Sequence, residues 1–184
     1  MTTVDPIKNT ADIEKLKNAL HGRDKLLFII GINSSLRISD LLQLRFDHFA
    51  NLAHDRRVTI KEQKTGKIKT MYINDSIMKA LEDITPPADE KAYLFPSQKG
   101  GGAKPISRVQ AWRILNAAAE RAGLKHINFG THTMRKTFAY HAYLNKVDLS
   151  TLMKLLNHSS QKETIRYIGI EQTAMHDVYK NLNL

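Results

Sequence analysis

Apolar positions recur at helical spacing over most of the chain, with one short interval where they alternate. In 10-TADIEKLKNALHG-22, Ile13, Leu16 and Leu20 share a face, which predicts an amphipathic helix introduced by Thr10 and closed at Gly22. The next segment, 24-DKLLFIIGINSSL-36, is apolar nearly all round and reads as a buried helix. Ser39 is placed to cap a third helix, 40-DLLQLRFDHF-49, leaving Arg37 two residues ahead of the cap. Past residue 55 the pattern changes to alternation: Val58 and Ile60 in RRVTIKEQ, then Ile68, Thr70 and Tyr72 in KIKTMYIN, with KTG as a tight turn between them. Residues 56–73 therefore predict an antiparallel hairpin. Asn74 or Asp75 caps a helix running to Ile84, and residues 85–105 form a long loop region. Its triple glycine, 100–102, lacks both a preceding strand and the Gly-Lys-Ser/Thr ending of a phosphate loop, so it reads as plain loop.

The second half is helical again. Ser107 begins a helix closed by Gly123, with Trp112 and Leu115 directed to the core, and another helix starts near Thr133. Asp148 caps 149-LSTLMKLLN-157, whose Leu149, Leu152, Leu155 and Leu156 form a stripe. Ser160 and Glu163 stand at capping-box spacing for a helix through Ile168. Thr173 introduces a last amphipathic segment with Met175, Val178, Tyr179 and Leu182 on one face. No repeat, linker or heptad array interrupts the series. The fold class expected is mainly α with a small antiparallel β-hairpin, in one domain spanning 1–184.

Composition narrows the chemistry. The 184 residues can bury roughly 70% of their unfolded surface, enough for a core without staples. There is no cysteine, which excludes disulfides, thiolate zinc sites and a cysteine nucleophile. No apolar run reaches the ~20 residues of a membrane helix, and the N-terminus lacks a signal-peptide pattern. The expected setting is therefore soluble and cytoplasmic, with no membrane partner. A formal charge of +10, spread along the chain, points to a polyanion, since cations displace counterions from a phosphate backbone. The histidines show no metal-ligand spacing, so no metal is expected.

Four features carry candidate chemistry: Arg37 before a helix, Lys64 on the hairpin turn, His132 one helical turn from Arg135, and His158 nine residues before Tyr167. The strings 36-LRISDLLQLRFDHF-49, 93-YLFPS-97, 131-THTMRKTFAYH-141 and 155-LLNHSSQKETIRY-167 resemble the catalytic domain of the tyrosine recombinases, or phage integrases, in order and spacing from about Thr10 to the end. The resemblance implies that fold, and site-specific cleavage and rejoining of DNA through a 3′-phosphotyrosyl intermediate, without metal or cofactor.

Residue by residue, it makes Tyr167 the nucleophile. Tyr179 is the nearest rival, but its spacing suits an apolar face. Arg37 and Arg135 are implied to grip the nonbridging phosphate oxygens, a task suited to planar, permanently charged forks. Lys64 is the implied general acid for the leaving 5′-oxygen, His132 an acid/base partner in the attack, and His158 a hydrogen-bond donor to the phosphate. Asp40 orients its neighbours. Lys61, Lys67, Lys69 and Lys136 are the expected DNA contacts. One departure is Asn157, where the family usually has glycine; asparagine is the next best residue for a left-handed helix end.

Partners implied are double-stranded DNA at the bacterial nucleoid, a homotetramer on paired sites, and a DNA-bending accessory protein. The match beginning near Thr10 leaves the family's N-terminal clamp domain without a counterpart here, so the expectation is either a minimal recombinase, like the fimbrial-switch invertases in length, or a piece of a longer integrase. The segment 173–184 is expected to dock on a neighbouring subunit or on its own domain. Two other readings stay open on sequence: a type IB topoisomerase-like nicking and closing enzyme, and a non-catalytic DNA-binding regulator on the same fold.

Overall fold

The computed structural model describes residues 4–99 and 101–170; the predicted helix at 173–184 lies outside them. In chain order the elements are α1 (Thr10–Asn18), α2 (Gly22–Asn33), α3 (Ile38–Leu41), a 3-10 turn (Phe46–Phe49), β1 (Arg57–Lys61), β2 (Ile68–Tyr72), α4 (Asp75–Glu82), α5 (Arg108–Arg121), α6 (Thr133–Leu144), α7 (Leu149–Leu156) and α8 (Gln161–Ile168). The mainly helical architecture with one antiparallel pair agrees with the sequence reading.

Side-chain oxygens fix the helix starts by accepting amide protons that the first turn cannot satisfy. Asn74, Ser107, Asp148 and Ser160 do so for α4, α5, α7 and α8, accepting from Ile77, Gln110, Thr151 and Glu163. At α1 the cap is Asn9 in place of Thr10, its Oδ1 accepting from the Ala11 amide at 2.9 Å. Gly22 does adopt a left-handed φ of 48°, but it begins α2 and does not close α1. The third helix is far shorter than expected: Arg37 itself is the N-cap and the helix ends at Leu41. Beyond it the backbone takes partners from the loop at 90–94 instead, with Phe46 donating to Ala92, Asp47 to Glu90, and Leu94 to Leu44. Long-range pairing outcompetes helical propensity there.

The hairpin forms where predicted, but β2 has the opposite phase. The register pairs Val58 with Met71 and Ile60 with Lys69, so these four face inward. Ile68 and Tyr72, read as the apolar face, are 69% and 64% exposed. In an antiparallel pair directly opposed residues share a face, so the well-buried Val58 and Ile73 decide the phase. Trp112 also departs from expectation. It is 43% exposed, and its indole N–H donates to the Phe129 carbonyl.

Two cores result. The larger gathers Leu16, Leu27, Phe28, Leu44, Ile73, Ile77, Phe95 and their neighbours from α1 to α5. The smaller joins Ala139, Leu152, Leu156 and Ile168 from α6, α7 and α8. Helix α6 belongs to both, with Met134 in the first and Ala139 in the second. Gly31 permits this arrangement, because a Cβ there would sit 2.3 Å from the Met134 sulfur where α2 passes α6. No helix among the described residues is long and apolar enough to cross a membrane.

Candidate active site at the seam between the two cores

Every candidate side chain on the described chain that came from the motif strings lies near this seam. Arg37 ends the loop after α2, on the large core. His132 is the N-cap residue of α6 and Arg135 sits in its first turn. The approach to α6 is set by a reciprocal pair, Gly130 N–H to Thr133 Oγ1 at 3.0 Å and Thr133 N–H to the Gly130 carbonyl at 3.1 Å. His158 follows the end of α7, where Asn157 adopts the left-handed conformation (φ 51°, ψ 44°) that the sequence predicted for it. Tyr167 is in the last turn of α8.

The distances bring phenol and imidazoles together. Tyr167 Oη and His132 Nδ1 are 3.3 Å apart, and the His158 ring meets the Tyr167 ring edge-on at 5.0 Å. His158 Nδ1 is held by the Thr164 hydroxyl at 3.0 Å. Burial pushes the Tyr167 phenol up to about 12, against the opposing charges of Arg135 and Arg37. The phenol thus stays protonated at neutral pH and requires a base. Burial, then the charges of Arg135, Lys136, Arg37 and Lys64, lower the His132 pKa below 6.5, so its imidazole is neutral and able to accept a proton. His158 is lowered in the same direction, chiefly by burial.

The two arginines are held in different ways. Arg135 is 4% exposed; Nη1 donates to the Ser35 carbonyl and Nη2 to the Leu156 carbonyl at 2.6 Å, so it ties the Arg37 loop to the end of α7. Arg37 donates from Nη1 to Glu62 Oε1 at 2.9 Å. It lines an open cleft of 940 Å³ together with Gln43, Lys64, Lys104, Arg108 and His132. Lys64 stands exposed on the turn between β1 and β2, at the same cleft. Asp40, 2% exposed, accepts the Gln63 amide at 2.9 Å and so secures the base of that turn; its Oδ2 has no partner among the described residues.

The four expected DNA lysines divide. Lys61 and Lys67 are exposed on the hairpin. Lys69 turns inward with the phase of β2, donating to the carbonyls of Ser35 (3.3 Å) and Leu155 (2.7 Å), and burial with the Arg135 charge lowers its pKa to about 8. Lys136 is 7% exposed; it donates to the Val4 carbonyl at 2.9 Å and lies 5.2 Å from the Tyr167 ring centroid. Neither is free to meet a phosphate backbone from solvent. Both serve the seam.

Sequence reasoning missed Glu62. Its phase held the signal: Val58, Ile60 and Glu62 alternate, so the carboxylate occupies an inward position on β1's continuation. Among the described residues no cluster of three His, Asp or Glu is arranged to hold a metal ion.

A helical body that presents a tyrosine to arginines contributed by distant parts of the chain is the architecture of a tyrosine recombinase catalytic domain. Comparison with known proteins agrees. Residues 7–173 match the phage integrase family, and the chain belongs to that family, whose class is the site-specific DNA recombinases. A probable integrase/recombinase of Bacillus subtilis (strain 168), YoeC, is 43% identical over 183 residues, covering 98% of this chain and 97% of that protein. Among solved structures, XerA recombinase superposes with a TM-score of 0.76 at 18% identity, covering 97% of this chain and 66% of that one. The XerH site-specific recombinase, in a post-cleavage complex with a palindromic difH substrate, gives 0.71 at 20% identity, covering 97% and 53%. The chain thus spans nearly all of YoeC and about half of XerH.

Proposed function

We propose that the chain cleaves and rejoins double-stranded DNA at a specific site, with Tyr167 as nucleophile. Tyr167 Oη attacks the phosphorus of one phosphodiester, its proton passing to His132 Nδ1. A P–O bond to the tyrosine forms and the bond to the 5′-oxygen breaks, with Lys64 protonating the departing oxygen. Arg37, Arg135 and His158 stabilise the charge that grows on the nonbridging oxygens, in a site already organised before DNA arrives. Attack by another 5′-hydroxyl reverses these steps and joins a new strand. The observation that carries this reading is the 3.3 Å approach of the Tyr167 phenol to His132 Nδ1, beside two guanidiniums.

One described chain offers one such phenol. Two duplexes present four strands, so exchange between paired sites calls for four protomers, and DNA bending that aligns the sites is the task for an accessory protein. The test uses nicked suicide duplexes whose sequences are drawn from the DNA on either side of the coding sequence. The wild-type chain is expected to form a denaturant-stable protein–DNA adduct with a free 5′-hydroxyl, and Tyr167→Phe to bind without forming it. An adduct formed by Tyr167→Phe would overturn the assignment. Relaxation of supercoils without recombinant products would select the nicking and closing reading instead.

A further inference from the structure

Glu62 is the most buried carboxylate of the seam, 1% exposed, and the chemistry above does not use it. Its contacts reach all three parts of the site. Oε1 accepts from Arg37 Nη1 at 2.9 Å and lies 3.9 Å from Lys69 Nζ. Oε2 accepts from the Thr65 hydroxyl at 2.6 Å and from Asn157 Nδ2 at 2.9 Å. Thr65 is the residue after Lys64, and Asn157 is the residue before His158. One carboxylate therefore holds a guanidinium of the large core, the turn that carries the lysine, and the left-handed corner that presents the histidine of the small core.

We propose that Glu62, with Asn157 as its partner, is the positioning residue that sets Arg37, the Lys64 turn and His158 in one frame for the strand-cleavage reaction.

Charge and geometry both favour this role. A buried carboxylate without partners would be neutral or unstable; this one accepts from two neutral donors and from one cationic donor, Arg37, with the Lys69 charge 3.9 Å away. Arg37 gives up only its Nη1 to the bond, so the fork is oriented while donors remain for a phosphate. A glycine at 157 could make the same left-handed corner, but it has no amide to offer Glu62. The asparagine supplies the backbone turn and a tether across the seam at once. Removing the tether frees the corner bearing His158 to move relative to Arg37, and displacements of about 1 Å at such groups cost roughly 100-fold in rate.

This inference rests on the recombinase reading, and the experiment separates the two. Single-turnover adduct formation at saturating suicide duplex, DNA affinity and thermal midpoint are measured for wild type, Glu62→Gln, Asn157→Gly, Thr65→Val and the Glu62→Gln/Asn157→Gly pair. Glu62→Gln is expected to slow cleavage by about 10- to 100-fold while affinity changes by less than about threefold. Asn157→Gly should slow it less, and the double variant should be no slower than Glu62→Gln, since both remove one coupling. Should Glu62→Gln not fold, the milder Asn157→Gly and Thr65→Val carry the same expectation of slowed cleavage at unchanged affinity. Wild-type rates in the folded variants would overturn the proposal, as would losses in affinity that match the losses in rate. NMR of the Arg37 side-chain N–H and the His158 imidazole gives a readout independent of chemistry. Both signals are expected to shift in Asn157→Gly, and unmoved signals would refute the positioning role even if the wild-type chain made no adduct.

Discussion

In the proposed reaction, Tyr167 and His132 together make the attack a matter of one proton. The phenol, at about 12, carries its proton throughout the physiological range, so the rate follows the neutral fraction of the histidine. Because burial and nearby cations lower the His132 pKa, the neutral form predominates above its ordinary value of 6.5 and is lost as pH falls through the lowered one. Single-turnover cleavage should therefore be flat through neutrality and drop on an acid limb below 6.5. His132→Ala should lose about 100-fold or more in rate and lose that limb as well. At this scale the motif residues were picked out by resemblance to a family, and spacing added that His132 and Arg135 lie within one helical turn of each other. The inward turn of Lys69 and Lys136 was not legible in the sequence, since a lysine's count toward net charge says nothing about which carbonyls its ammonium can reach.

Element boundaries followed local chemistry where a side chain could cap a helix, as Ser107, Asp148 and Ser160 do. They departed from it where distant backbone offered a better partner, as at the truncated α3 and in the phase of β2. The contact between α2 and α6 is the one on which the site most depends, because α6 carries His132 and Arg135 and crosses α2 at Gly31. Gly31→Val should lower stability by about 1–3 kcal/mol through overpacking against Met134, read by urea denaturation. It should also slow cleavage in the folded fraction, because the relief available is a shift of α6. A full-rate, fully stable Gly31→Val chain would show that the two helices tolerate a wider separation.

Across the whole molecule, the active groups come from both cores, and polar cross-links hold them at the seam: Arg135 to Ser35 and Leu156, Lys69 to Ser35 and Leu155, Glu62 to Asn157. In the proposed function, the basic charge that remains outside is the portion that meets DNA. Binding should weaken steeply with salt, and replacing Lys61 or Lys67 by alanine should each reduce the log–log slope by about 1 if it touches a phosphate. Lys69→Ala should leave that slope unchanged, since its ammonium is already engaged by carbonyls, and a reduced slope would place it on DNA after all. By itself the sequence determined the helical class, the hairpin and the caps of α4, α5, α7 and α8, because those rest on periodicity and on contacts within a few residues, while the motif side chains were singled out by resemblance to a family. Only the tertiary structure decided which lysines turn inward, where α3 ends, and that a glutamate between Lys61 and Lys64 ties Arg37 to Asn157. Those outcomes depend on partners as far as 132 residues away along the chain, and no local pattern encodes the competition among them.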